Sequence, residues 1–130
     1  MRKFAVVLLS LCSLAIVPSF AQHMNEKDSP CVNVVVTTEL VACLSKERVS
    51  SDTALNSLYE TIQKRLSGSD AARLTTTERL WIQYRDANCS AERSLYEGGT
   101  ASSPVYLSCL EAMTRERTKE LRITYTVRLK

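Results

Sequence analysis

Residues 89–109 read CSAERSLYEGGTASSPVYLSC, with a cysteine at each end and the pair Gly98-Gly99 at the centre. Glycine readily adopts the backbone angles that end a helix and turn the chain. If two antiparallel helices flank this turn, Cys89 and Cys109 lie opposite one another, because each is ten residues from Gly99. The stretch therefore predicts a helical hairpin closed by a disulfide bond.

The amino terminus indicates export to a compartment in which such a bond can form. Arg2 and Lys3 precede an apolar run over residues 4–17, and Ser19 and Ala21 put small residues at the two positions that a signal peptidase reads, as in a secretory signal peptide. The apolar run is shorter than the ~20 residues that cross a bilayer. We therefore expect a signal peptide over residues 1–21, cleavage after Ala21, a periplasmic or secreted protein, and no stable membrane anchor.

Composition after cleavage argues against several classes of protein. The full chain has a formal charge of +3, and loss of Arg2 and Lys3 leaves 15 basic against 14 acidic residues, a charge of +1. So weak a field argues against nucleic acid as a partner. The 109 residues that remain suffice for one domain with a single modest core.

Four cysteines remain in the mature chain: Cys31, Cys43, Cys89 and Cys109. An even number of cysteines in an exported chain indicates disulfide bonds. Once the hairpin pair is joined, Cys31 is left to bond Cys43, which ties the amino-terminal segment to the first helix. A zinc site is disfavoured, because the cysteines are far apart in sequence and the single histidine, His23, lies in a polar leader.

Hydrophobic periodicity predicts long helices and no sheet. Residues 22–30 form a polar leader that is expected to be mobile. The apolar run over residues 32–36 fits an extended strap or a brief strand, and the strap is preferred because no partner strands are evident. Thr37 or Thr38 then caps a first helix. The polar middle of this helix allows either one continuous helix or two helices with a kink. Gly68, in a left-handed conformation, is expected to end it.

The second helix is expected to begin between Asp70 and Thr76, where Thr75 and Glu78 have the spacing of a capping box. It is expected to end at the glycine pair. Its predicted buried face consists of the apolar residues Leu74, Leu80, Trp81, Ile82, Tyr84, Ala87, Ala91 and Leu95.

The third helix is expected to begin with Ser103 as its cap and Pro104 at its first position. Residues 123–130 form a tail of undefined structure. The sequence thus predicts an all-α protein, a small disulfide-stapled bundle of three to four helices over residues 37–122 with an extended N-terminal segment.

No catalytic constellation is recognisable in the chain. A hydrolase needs a nucleophile, a base and an orienting group that converge, or two carboxyl groups with separate pKa values. The carboxylates of Asp52, Asp86 and Glu97 are scattered among basic residues. Neither a glycine-rich phosphate loop nor a metal-ligand spacing is present. We therefore predict that the protein is not an enzyme and uses no cofactor or metal.

The segment WIQYRDANC, residues 81–89, is the most distinctive in the chain. On a helix Trp81 and Arg85 are one turn apart, so the guanidinium can lie against the indole or bond a carboxylate. Either Trp81 and Tyr84 anchor the core beneath Arg85, or Arg85 belongs to a recognition surface. Arg117, beside the apolar stripe of the third helix, either covers the core and bonds a helix end or contacts a ligand.

Several motifs follow one another in a fixed order: Cys31, Cys43-Leu44, residues 52–59 (DTALNSLY), residues 81–86 (WIQYRD) with Cys89, Gly98-Gly99, and Cys109-Leu110 with Thr114 and Arg117. In order and spacing they resemble the lysozyme inhibitor LprI-like family over about residues 31–122. That family consists of exported bacterial helical domains with paired cysteines, and its characterised members bind and inhibit lysozyme. The resemblance implies the same activity here, with Trp81, Tyr84, Asp86, Thr114 and Arg117 as structural motif residues.

Two features depart from the pattern of that family. Glu78 stands where many members have a glutamine, three residues before the tryptophan. The chain also lacks the lipid-attachment box of some members, which favours a freely soluble periplasmic protein.

The glycine pair suggests how inhibition could work. Lysozyme cleaves glycan between two carboxyl groups in a long cleft, so a protruding segment can plug it. Glycines let the backbone approach closely, hydroxyls offer hydrogen bonds, and the disulfide stiffens the base of the turn. The glycines could instead only end a helix. The predicted partner-binding residues are Arg85, Gly98, Gly99, Thr100 and Ser102.

The leading prediction is therefore a periplasmic inhibitor that protects peptidoglycan by blocking lysozyme or another cell-wall-active protein. An alternative is an immunity or envelope-interaction protein that binds another secreted protein. A cell-wall hydrolase is a third hypothesis, and the missing catalytic constellation disfavours it. The oligomeric state is not predicted.

Overall fold

The computed structural model describes residues 23–130, and helices make up most of this part of the chain. A 3-10 turn over His23–Asn25 precedes α1 (Thr37–Gln63), α2 (Gly68–Ser94), α3 (Ser102–Thr124) and the short α4 (Thr126–Leu129). These described residues include no strand, and none of their helices is long and apolar enough to cross a membrane. The predicted all-α class is confirmed, whereas the predicted signal peptide lies outside the described residues.

α3 is the central helix, because it packs against both α1 and α2. Its buried residues include Val105, Cys109, Leu110, Ala112, Thr114, Arg117 and Leu121. α1 contributes Leu44, Leu55, Leu58 and Ile62, whereas α2 buries only Leu74, Glu78 and Cys89. α2 therefore lies at the edge of the bundle with much of its surface in solvent.

The apolar core is divided into two clusters that lie towards opposite ends of α2. One contains Leu55, Leu58, Ile62, Leu74 and Leu121, and the other contains Cys89, Cys109 and Leu110. Tyr125 and Leu129 pack against the first cluster. The predicted tail is thus folded back on the bundle, where Arg65 donates hydrogen bonds to the carbonyls of Arg128 (3.1 Å) and Lys130 (3.3 Å).

Both predicted disulfide bonds are present. Cys89–Cys109 joins α2 to α3 with a Cα separation of 5.6 Å, and Cys31–Cys43 joins the strap to α1 with a Cα separation of 6.1 Å. Both separations lie in the usual range for disulfides. The hairpin geometry predicted from the glycine pair is therefore correct.

α1 is one continuous helix, but its predicted cap is wrong. Val36 is the N-cap, and Thr37 is already helical. The prediction that Gly68 ends this helix in a left-handed conformation is also wrong. Gly68 is the first residue of α2, two residues before the earliest predicted start at Asp70, and Ser67 is its N-cap. The hydroxyl of Ser67 donates to Asp70 (2.9 Å), and this local bond favours the early start.

The other ends of α2 and α3 also differ from the predicted ones. The capping box is wrong because Thr75 lies inside α2 and donates to the carbonyl of Ala71 (3.0 Å). α2 ends at Ser94, before the glycine pair, and a turn follows. α3 begins at Ser102, so Pro104 is its third residue. The missing N–H of proline costs nothing there, because first-turn N–H groups have no partner within a helix.

The predicted buried face of α2 is largely wrong. Leu80, Tyr84 and Leu95 are 60%, 62% and 78% exposed, and Ile82, Ala87 and Ala91 are exposed as well. α2 instead turns the row Leu74, Glu78, Trp81, Arg85 and Cys89 toward the bundle. Hydrophobic periodicity missed this row because two of its members are charged and are satisfied by partners on other helices.

The leader packs on α3, contrary to the expectation of mobility. Arg115 donates to the carboxylate of Asp28 (2.6 Å) and lies 4.0 Å from that of Glu26. Ser29, which follows, is buried. The opposite charges that hold the leader are far apart in sequence, so no local pattern indicated them.

Removal of the hairpin disulfide is expected to destabilise the protein. The bond closes a loop with a sequence separation of 20 residues, so the double variant Cys89→Ser/Cys109→Ser should lose about 3 kcal/mol of unfolding free energy. Urea denaturation of the oxidised wild type and the variant measures the difference. A loss well below about 1 kcal/mol would contradict the stapling role.

The leader is expected to be released when its ion pair is removed. The hydrogen bond from Arg115 lowers the pKa of Asp28, so the pair is intact at neutral pH and is lost only as the pH falls through that lowered value. At neutral pH, Asp28→Asn should speed trypsin cleavage after Lys27. Glu116→Gln, which removes a carboxylate outside the leader that also bonds Arg115 (3.4 Å), is the control. Equal cleavage rates in all three proteins would refute the docking contact.

Candidate functional site

The turn between α2 and α3 forms an exposed end of the bundle, and we call residues 96–102 the tip. Three backbone hydrogen bonds follow one another through it: Tyr96 N to Arg93 O (3.0 Å), Gly99 N to Tyr96 O (3.0 Å) and Ser102 N to Gly99 O (3.3 Å). Each bond spans three residues, so the tip is a succession of tight turns. Its backbone is thereby held in one shape.

Gly98 permits this shape. Its φ of 78° lies in the left-handed region, where side chains with a Cβ are strained. A Cβ at Gly99 would lie 3.4 Å from the carbonyl oxygen of Tyr96, and the space around Gly98 is open. Both glycines are exposed, so the backbone at the tip is open to close approach by another molecule.

A groove of about 300 Å³ opens beside the tip, lined by Ser90, Arg93, Ser94, Glu97, Gly98 and Ser102. Arg93 donates from Nε to the hydroxyl of Ser102 (3.2 Å), and its guanidinium lies 5.3 Å from the centre of the Tyr106 ring. These two contacts hold an exposed cation in a defined place. The cation, carboxylate and hydroxyl groups of the groove can form ion pairs and hydrogen bonds with another molecule.

Arg93 is the residue at this end of the bundle that sequence reasoning missed. It follows Cys89 by four residues, so it lies one helical turn nearer the tip on a neighbouring line of the helix surface. That spacing from a disulfide cysteine was the feature of the sequence that could have placed Arg93 near the tip. Its contacts with Ser102 and Tyr106 depend on the shape of the turn, which the sequence did not specify.

The predicted partner-binding residues occupy two places. Gly98, Gly99, Thr100 and Ser102 lie in the tip. Arg85 lies eight residues before Arg93, about 12 Å along the helix. Its side chain is 13% exposed, and the structure does not bring it together with the other four.

Arg85 joins all three long helices. It donates to Asp52 of α1 (3.2 Å), to Asp86 of α2 (2.9 Å) and to Thr114 of α3 (3.0 Å). Its guanidinium lies 5.3 Å from the centre of the Trp81 ring, as predicted for residues one turn apart. The structure thus brings three of the motif residues, Trp81, Asp86 and Thr114, together around Arg85, whereas Tyr84 is exposed.

Arg117 forms a second buried network beneath the same tryptophan. It bonds the carboxylate of Glu78 through Nε (2.8 Å) and Nη2, and that of Glu120 through Nη1 (2.7 Å). Burial alone would lower the pKa of Arg117, but the bonds to these carboxylates outweigh it and raise the pKa. The predicted bond to a helix end is wrong, because buried Glu78 provides a stronger, charged partner.

One group of metal-ligating residue types occurs among residues 23–130. His23, Glu92 and Cys109 place one ligand atom each within 4.8 Å of one another. The sulfur of Cys109 is bonded to Cys89, so it offers no thiolate. Burial raises the pKa of Glu92, and the nearby imidazole of His23 opposes this shift.

Removal of one member of the buried Glu78–Arg117 pair is expected to lower the free energy of unfolding more than replacement of both members by apolar residues. Arg117→Met leaves the carboxylate of Glu78 buried without its partner, which should lower the unfolding free energy by about 3 kcal/mol. The double variant Glu78→Leu/Arg117→Met removes both charges and should recover most of the loss. Urea denaturation measures both. If the double variant is less stable than the single one, the pairing argument is wrong.

Comparison with known proteins adds to this geometry. A family model described as "Lysozyme inhibitor LprI" matches residues 31–121, a span that includes both disulfides, both arginine networks and the tip. An uncharacterized protein of Rhizobium meliloti (strain 1021) is 29% identical over an alignment of 133 residues, gaps included. The alignment covers 92% of this chain and 94% of that protein. No solved structure gives a significant match.

Proposed function

The chain belongs to the lysozyme inhibitor LprI family, and on this premise we propose that it binds a lysozyme and blocks its active-site cleft. The observation that carries the proposal is the family match over residues 31–121. The family is one of inhibitors rather than catalysts, which supports a binding protein. Blocking lysozyme would protect the peptidoglycan of the cell that exports the protein.

The proposed place of action is the periplasm or the cell exterior. Two features support it: the signal-peptide pattern in residues 1–21 and the two disulfide bonds. Structural disulfides form and persist in oxidising compartments and are rare in the cytosol. A protein that blocks lysozyme also has to be outside the cytoplasm to meet it.

The tip is the proposed plug. The cleft of a lysozyme contains two carboxyl groups that flank the scissile bond. Arg93 offers a cation that complements this negative charge, while Thr100 and Ser102 offer hydroxyls. Because backbone hydrogen bonds and the Cys89–Cys109 bond already order the turn, little conformational entropy is lost on binding.

Arg85 is assigned a positioning role in this proposal. Its guanidinium is occupied by Asp52, Asp86 and Thr114. These bonds hold α2 against α1 and α3 and so fix the direction in which α2 carries the tip. Arg85 would then influence inhibition through the orientation of the tip and not by contact with the lysozyme.

Replacement of Arg93 is expected to weaken inhibition. Lysis of cell-wall substrate by lysozyme is measured with increasing amounts of the purified mature protein. Arg93→Ala should raise the concentration for half inhibition roughly tenfold, because arginines at the centre of an interface contribute strongly to binding. The matched control is Arg73→Ala at the other end of α2, where the side chain is 77% exposed. It should leave inhibition unchanged.

The outcomes separate the function from the site. If the wild type slows no lysozyme of chicken, goose or invertebrate type, the proposed function is wrong, and a pull-down from periplasm would test for another secreted partner. If the wild type inhibits but Arg93→Ala is as potent as Arg73→Ala, the inhibitor lacks the proposed contact at the tip. Where the wild type inhibits, reduction of the two disulfides should abolish inhibition.

A further inference from the structure

α2 carries a second apolar stripe that faces solvent. We call Leu80, Tyr84, Ala87, Ala91 and Leu95 the outer stripe. They recur at steps of four, three, four and four residues, so they lie on one side of the helix and of its C-cap, Leu95. All five are exposed. The contacts of α2 with the bundle come from a different row, which includes Leu74, Glu78 and Cys89.

The outer stripe is free of charge along its whole length. It extends about 22 Å from Leu80 to Leu95, and the residues beside it, Thr76, Thr77, Gln83 and Ser94, are uncharged. The chain as a whole is 24% charged, so this uncharged helix surface differs from the rest of the sequence. Contiguous exposed apolar surface of this kind marks an interaction site.

Large and small side chains are arranged on the stripe so that it is complementary to itself. Consider two copies of α2 packed antiparallel, with a two-fold axis between Arg85 and Asp86. Leu80 of one copy then faces Ala91 of the other, and Tyr84 faces Ala87. Leu95 faces Thr76, so each large side chain of the stripe meets a smaller one, which is how facing helices interdigitate. A two-fold axis forms both contacts twice.

We propose that the outer stripe is a dimer interface, in which α2 packs antiparallel against α2 of a second copy. The absence of charge on the stripe suits a self-contact, because no charged side chain has to be taken out of water and paired when two stripes meet. At the edge of the bundle α2 is open to this approach. In the dimer the two tips lie at opposite ends of the helix pair.

The dimer is expected to form reversibly. Five side chains from each copy are far fewer than the roughly 20–30 residues a side of a standard protein interface, so the contact is a weak one. Its population should therefore rise with protein concentration. Sedimentation velocity over a concentration series of the mature chain, residues 22–130, measures this directly.

Ala87→Glu tests the stripe near the two-fold axis. Two carboxylates brought close together in an apolar contact should raise the dimer dissociation constant about tenfold or more. Ala54→Glu, at an exposed alanine of α1, introduces the same charge away from the stripe and should dimerise like the wild type. Both positions are solvent-exposed, so circular dichroism should show unchanged helix content.

The double variant Tyr84→Lys/Ala87→Glu tests the register. In the antiparallel arrangement each introduced lysine faces the introduced glutamate of the second copy, so dimerisation should be regained relative to Ala87→Glu. The proposal is overturned if the wild type is monomeric at every concentration, if Ala87→Glu dimerises like the wild type, or if the double variant regains nothing. A monomeric wild type whose lysozyme inhibition is lost in Ala87→Glu would assign the stripe to the inhibited enzyme instead.

Discussion

A charge buried in a protein has to be paired, and the pairing of buried charges holds α2 against the other helices of this bundle. The helix buries few apolar side chains, so hydrophobic packing alone does not hold it against α3. Glu78 meets Arg117 of α3, and Arg85 reaches both α1 and α3. Together with the disulfide from Cys89, these contacts extend from near the middle of α2 to its last turns. The position of the tip depends on them, because the tip continues directly from α2.

The same requirement explains which parts of the fold could be predicted from sequence. The distance of each cysteine from the glycine pair correctly predicted the helical hairpin and its disulfide, because antiparallel geometry follows from counting residues. The face of α2 was predicted wrongly, since apolar periodicity assigns Glu78 and Arg85 to solvent. Their partners lie on other helices, and only the assembled fold identifies them. The docked leader was missed for the same reason, because Asp28 and Arg115 are distant in sequence.

Site residues show a similar division. The sequence placed Gly98, Gly99, Thr100 and Ser102 on one turn because they are consecutive or nearly so. It could not place Arg93 beside them, since that contact depends on how the chain turns back after α2. The stripe that contains Leu80 and Tyr84 differs from these residues. Its apolar pattern was recognised in the sequence, but it was predicted to be buried and is exposed. An apolar row that stays exposed in the folded domain indicates a surface for a partner and not a part of the core.

The folded-back carboxyl terminus has a practical consequence. Arg65 holds the carbonyls of Arg128 and Lys130 beside the turn between α1 and α2, and this is the end of the bundle remote from the tip. A fluorophore, affinity tag or sensor surface joined after Lys130 would therefore extend away from Gly98. Attachment through this end orients every molecule in the same way and leaves the groove beside Arg93 accessible to an applied analyte.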